Sequence, residues 1–140
     1  MKLTLEKASK IVDQALAKAR EMKIRPLCVA VLDDGGHLKA LKRDDGASLL
    51  RPTIAIGKAW GAIGMGESSR HLGNRLKDRP AFLGALSDMS GGKVVPVPGG
   101  ILLMDGDTII GAVGASGGSA DEDEACALAG IQAAGLAYKI

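Results

Sequence analysis

A chain of 140 residues with 46% apolar content fits one domain, residues 1–140, built around a single core. Its net charge of +2 makes no electrostatic case for nucleic acid, and one Trp, one Phe and one Tyr are too few for a base-stacking platform. No uninterrupted apolar run approaches membrane-spanning length and no signal-like stretch opens the sequence, so neither nucleic acid nor a membrane is expected as partner, and the expected location is cytoplasmic.

The first element is an amphipathic helix. Leu5, Ala8, Ile11, Val12, Ala15, Leu16, Ala19 and Met22 recur at three- and four-residue spacing behind Thr4 as N-cap, and the helix must end before Pro26. Leu27 to Leu32 is apolar at every position and reads as a strand covered on both faces. Asp33-Asp34-Gly35-Gly36 is a turn, and His37 to Arg43 a more polar strand near an edge. Strand alternation puts His37, Lys39, Leu41 and Arg43 on one face of it.

After the loop Asp44-Asp45-Gly46-Ala47, a helix is expected from about Ser48 to Met65, with Pro52 tolerated in its first turn. Gly57, Gly61 and Gly64 form a stripe along it, beside Trp60. Helix glycine costs about 0.5–1 kcal/mol against alanine, so the stripe predicts close approach of another backbone. Ser69 to Lys77 and Pro80 to Asp88 read as two short helices. Ile101 to Met104 and Thr108 to Ala115 form a hairpin around Asp105-Gly106-Asp107. Gly117-Gly118 turns a sharp corner, and Ser119 with Glu122 makes a capping box that starts a helix running to about Tyr138. The predicted order is α-β-β-α-α-α-β-β-β-α: an antiparallel sheet of about five strands between helical layers.

Chemistry is sparse. Cys28 and Cys126 lie far apart in apolar runs without CxxC spacing and read as buried, reduced thiols. The glycine corner before a helix start invites a phosphate. Yet Asp121, Glu122, Asp123 and Glu124 already occupy the positive end of that helix and would repel one. Those four carboxylates are consecutive and point in different directions, so they do not converge on a cation. Ser116 has no evident base, and neither GxSxG nor Cys-His spacing occurs. Of the two histidines, His71 lies in a basic segment with Arg70, Arg75 and Lys77, where solvent exposure is expected. His37 follows a Gly-Gly turn and can offer a neutral imidazole to iron.

Several segments carry a resemblance: Val31-Leu32-Asp33-Asp34-Gly35-Gly36-His37-Leu38, Arg43-Asp44-Asp45-Gly46-Ala47, Lys58-Ala59, Val97-Pro98-Gly99-Gly100, Ile110 through Gly118, and Asp123 through Ala127. In these the chain resembles the GlcG/HbpS family, which includes the C-terminal half of PduO-type corrinoid adenosyltransferases. The resemblance implies a profilin-like α/β/α sandwich that assembles into homo-oligomers, and haem binding with a role in haem or cobalamin handling. The adenosyltransferase half has no counterpart in this sequence, so that activity is not expected.

The leading expectation is therefore a small cytoplasmic homo-oligomer that binds haem or a related tetrapyrrole, or a small acidic ligand, with no catalytic residue assigned. The ligand-holding residues expected are His37, Lys39, Arg43, Asp45, Lys58, Pro98, Gly99 and Gly100. His37 would be the metal ligand, with Lys39 and Arg43 pairing with propionates from the same strand face. The rival expectation is an isomerase, lyase or hydrolase acting on a catabolic intermediate, its site built from Arg43, Asp45, Lys58 and the Pro98-Gly99-Gly100 turn. Scarce aromatics favour the rival, because haem pockets offer large apolar walls. Self-association is also expected from the glycine stripe and from the shortage of large core side chains.

Overall fold

The computed structural model describes residues 1–140. Five helices and five strands follow in the order α1 (Leu5–Met22), β1 (Cys28–Asp33), β2 (Leu38–Arg43), α2 (Arg51–Met65), α3 (Ser69–Leu76), α4 (Pro80–Met89), β3 (Gly100–Asp105), β4 (Thr108–Ser116), α5 (Ala120–Ala133) and β5 (Ala137–Lys139). The strands form one antiparallel sheet in the order β2-β1-β4-β3-β5. Helices α1 and α5 cover one face and α2 the other, which makes an α/β/α sandwich. No helix is long and apolar enough to cross a membrane.

The two faces are packed differently. Val29, Val31, Ile101, Leu103 and Val113 point toward α1 and α5 and join Ile11, Val12, Leu16 and Ile131 in one cluster of 20 buried residues, the main core. The α2 face is made of small groups: Leu32, Leu102 and Ala112 against Ala59 and Ala62, and Cys28 and Ala30 against Ala55. Glycine sets that spacing. A Cβ at Gly114 would collide with the Ala55 carbonyl oxygen, so α2 rests almost directly on the backbone of β4.

Three expectations about the elements are corrected. The last helix ends at Ala133 rather than Tyr138. Gly135 takes a positive φ of 71°, its amide donates to the Gln132 carbonyl, and the Leu136 amide donates to Ile131. That is a Schellman stop, after which Ala137–Lys139 adds the fifth strand beside β3. The order is thus α-β-β-α-α-α-β-β-α-β; no third strand precedes α5, and residues 93–99 form a strap without regular structure. Helix α2 begins at Arg51, not Ser48, with Pro52 in its first turn and exposed Leu49 and Leu50 before it.

The third correction concerns β2. Val31 pairs with Ala40 but Leu32 pairs with Leu38, so Lys39 is the extra residue of a β-bulge. The bulge interrupts alternation: Lys39 lines a cleft with Lys2, Leu3 and Ile110 on the α1 side, whereas Leu41 packs on the α2 side against the Cys28–Ala30–Ala55 group. Lys39 and Arg43 therefore do not share a face.

Candidate functional site

Lys58 sits in the middle of α2, on the side that faces the sheet, with 2% of its surface exposed. Its ammonium donates to the Ala115 carbonyl at 2.9 Å and to Asp123 Oδ2 at 3.1 Å. Asp123 is brought there by the capping box: Ser119 and Glu122 fix the start of α5, and the next residue turns inward. Asp123 Oδ1 accepts the Gly118 amide at 2.8 Å, so the glycine corner, α5 and α2 are tied at one point. Burial pulls the Lys58 ammonium below the ordinary lysine range while Asp123 pulls it back up. Burial likewise raises the Asp123 carboxyl against the opposing pull of Lys58.

The Pro98-Gly99-Gly100 turn closes over this lysine. A Cβ at Gly99 would stand 2.9 Å from Lys58 Nζ, and one at Gly100 would collide with the Lys58 carbonyl. The Gly100 amide donates to Ser69 Oγ at 2.7 Å. Lys58, Gly99 and Gly100 are thus brought together in space.

Arg51, about two turns before Lys58 on α2, completes the mouth of the site. Its guanidinium donates to the hydroxyl of the fully buried Ser116 at 3.0 Å and has no carboxylate partner. Arg51, Lys58, Ser116 and Asp123 share an open cleft of about 350 Å³ walled by Ile54, Val95 and Val97.

The other expected residues lie elsewhere. His37 is exposed at the tip of the β1–β2 hairpin, where its amide and that of Gly35 both donate to Asp33 Oδ1. Those two amides, His37 first, hold the Asp33 carboxyl below its usual range. At the far end of β2, Arg43 donates to the Ala47 carbonyl at 2.8 Å, and Asp45 is exposed in the following loop. Neither Arg43 nor Asp45 makes a hydrogen bond or ion pair with Lys58.

A second concave surface borders the hairpin tip. The Trp60 indole lies under Gly36, whose added Cβ would stand 3.0 Å from Trp60 Nε1, and its other edge reaches Gly64. From there Trp60, Gly61, Met65, Leu86, Met89 and Val94 line an apolar groove of about 210 Å³. Lys93 Nζ stands 5.4 Å from the Trp60 ring centroid. The glycine stripe is used inside the chain: added Cβ atoms at Gly57 and Gly61 would stand 2.5 Å and 3.3 Å from Val95 Cγ2 and Val94 Cγ1 of the strap.

Asp123, Arg51, Ser116 and Ser69 escaped the sequence reading. Asp123 was hidden in a run of four acids, and the structure gives each a separate task. Asp121 and Glu124 bind Arg70, Glu122 caps the helix, and Asp123 alone turns in. One signal was available: a lysine on the sheet-facing side of a Gly/Ala-rich helix needs a buried carboxylate from another element.

The comparisons with known proteins fit this architecture. The corrinoid adenosyltransferase PduO of Citrobacter freundii is 29% identical over 123 residues, covering 88% of this chain but only 36% of PduO, so the chain spans about a third of that relative's length. Among solved structures, a PduOC:haem complex superposes with a TM-score of 0.89 at 27% identity, covering 100% of both chains. HbpS superposes with a TM-score of 0.83 at 28% identity, over 94% of this chain and 89% of that one. Residues 3–132 match the family model described as haem degrading protein HbpS-like, and the chain belongs to that HbpS-like family.

Proposed function

We propose that this protein binds haem or a related tetrapyrrole at the tip of the β1–β2 hairpin, with His37 as the iron ligand, and acts in cofactor handling in the cytoplasm. One observation carries the reading: His37, exposed, is fixed through its backbone amide by the Asp33 turn one residue from the Gly36–Trp60 contact, and Trp60 leads into an apolar groove. These residues fit haem, which needs a nitrogen ligand and an apolar wall for the macrocycle. Likeness to the PduOC:haem complex over the whole chain supports it. Bound haem would supply an iron centre whose spectrum reports its ligand. His71 is dispensable here, because its Nδ1 lies 2.9 Å from Glu67 Oε2.

Self-association belongs to the same proposal. A groove of about 210 Å³ covers only part of a macrocycle, and Met89 at its edge is 76% exposed, so a second copy would complete the enclosure. Lys39, on the α1 side of the bulge, and Arg43, at the far end of β2, are poorly placed for propionates beside His37; Lys93 over Trp60 is better placed.

Hemin titration of the parent, His37→Ala and His71→Ala tests the reading. Saturable binding with a defined Soret band, lost in His37→Ala and kept in His71→Ala, is expected. A weak, non-saturating spectrum in the parent would overturn haem binding. An unchanged His37→Ala spectrum would overturn the ligand. Light scattering that gives a mass near 14.3 kDa, with and without hemin, would overturn self-association.

A further inference from the structure

The cleft on Arg51 is rich in hydrogen-bond donors that no protein atom uses. Ser116 is fully buried and accepts from Arg51, but its own hydroxyl hydrogen goes to no protein acceptor. Lys58 spends two of its three N–H groups, on Ala115 and Asp123. Arg51 spends one N–H, on Ser116, and has no ion pair. All three residues line the same cleft, beside the first turn of α5 at Ala120. Both oxygens of the one carboxylate are already engaged, since Asp123 takes Lys58 on one and Gly118 on the other. Two cations against one carboxylate leave the cleft one positive charge. A buried hydroxyl and ammonium with donors to spare ask for an anionic oxygen pair, and a guanidinium fork matches a carboxylate geometrically. Opposite them stand the apolar side chains of Ile54, Val95 and Val97.

We propose that this cleft binds an organic carboxylate, its oxygens held by Arg51, Ser116 and Lys58 and its apolar carbons lying against Ile54, Val95 and Val97. The site is separate from the His37–Trp60 surface and does not rest on haem binding. The carboxylate can come from a free small acid or from a tetrapyrrole's propionate arm; the recognition chemistry is the same.

Sodium hexanoate is the probe, followed by amide NMR shifts of the folded protein, with hexanamide as the uncharged isostere. Saturable shifts at Ser116, Gly118 and Ala120 with hexanoate, and none with hexanamide, are expected. Arg51→Gln should weaken the affinity about tenfold or more. Ser116→Ala provides the same comparison should Arg51→Gln fail to fold. Displacement of hexanoate by hemin would assign the carboxylate to a propionate arm, and simultaneous binding would assign it to a free acid; either outcome upholds the site. No saturable shift with hexanoate, equal shifts with hexanamide, or unchanged affinity in the folded variants would overturn it.

Discussion

Lys58 Nζ lies 3.1 Å from Asp123 Oδ2, with both side chains only 3% exposed. The pair joins α2 to α5 across the end of the sheet, at the point where β4 meets the glycine corner. Removing one member leaves the other as an unpaired charge that is almost wholly buried, which costs about 3–5 kcal/mol. Lys58→Met and Asp123→Leu should each lower the unfolding free energy by that amount in urea titrations. The double variant should be more stable than the sum of the single losses predicts. Strict additivity would mean that the two residues act independently.

A second ion cluster should contribute to the acid limit of stability. Glu67, 9% exposed, takes the Arg75 guanidinium at 2.6 Å and His71 at 2.9 Å. The Arg75 hydrogen bonds, helped by Arg75 and His71 charge, hold its carboxyl below the ordinary glutamate range. The folded state thus releases this proton more readily than the unfolded chain. The associated stability is present above about pH 4.5 and is lost as pH falls through the lower folded value. Glu67→Gln should flatten the acid limb of stability against pH; an unaltered limb would assign it to other carboxylates.

Two glycines give opposite outcomes on substitution. A Cβ at Gly114 meets the Ala55 carbonyl, whereas one at Gly84, inside α4, meets nothing within 4 Å. Gly114→Ala should cost about 3 kcal/mol or more, because backbone must move against backbone. Gly84→Ala should stabilise by about 0.5–1 kcal/mol through helix propensity. Thermal unfolding of the two variants checks both signs.

The two thiols should be chemically silent in the folded protein. Cys28 and Cys126 are fully buried, and burial pushes each thiol up to about 11. At about pH 8 such a thiol is thiolate in roughly one molecule per thousand, before access is counted. Iodoacetamide labelling should therefore follow global unfolding across a urea series. Rapid labelling without denaturant at either cysteine would contradict the burial.

Local signals made much of this fold readable. Thr4 caps α1, and its Oγ1 accepts the Lys7 amide at 3.2 Å; the three- and four-residue spacing from Ala8 to Ala19 became the buried stripe. Ser119 and Glu122 form the expected capping box. The misses are all non-local or single-residue events. The Lys39 bulge depends on how Leu32 and Leu38 pair across two strands, which alternation along one strand does not reveal. The stop at Gly135 was written in the sequence as a glycine after the last helical turn, but the apolar residues beyond it, Leu136 and Ala137, continue the helical pattern by chance. For the site, Lys58, Gly99 and Gly100 were legible as a group through the segments that carry the family resemblance, and the structure brings them together because glycine permits the close approach they make. Arg51 and Ser116 meet across 65 positions of sequence, a contact that only the packing of α2 on β4 creates.

The unequal packing of the two sheet faces has a dynamic consequence. Twenty buried residues lock α1 and α5 onto the sheet, but the opposite layer is secured by clusters of five and three residues plus a few polar pins such as Lys58–Asp123 and Ser69–Gly100. Protection against hydrogen exchange tracks such local density. The protein should therefore have two cooperative tiers: α1, α5 and the central strands exchanging only on global unfolding, and α2 to α4 opening earlier as a unit. Both surfaces assigned to ligands draw residues from that earlier-opening tier, Arg51 and Lys58 for one and Trp60 and Met65 for the other, so a bound molecule, which either opening would release, should slow exchange in both tiers by the same factor.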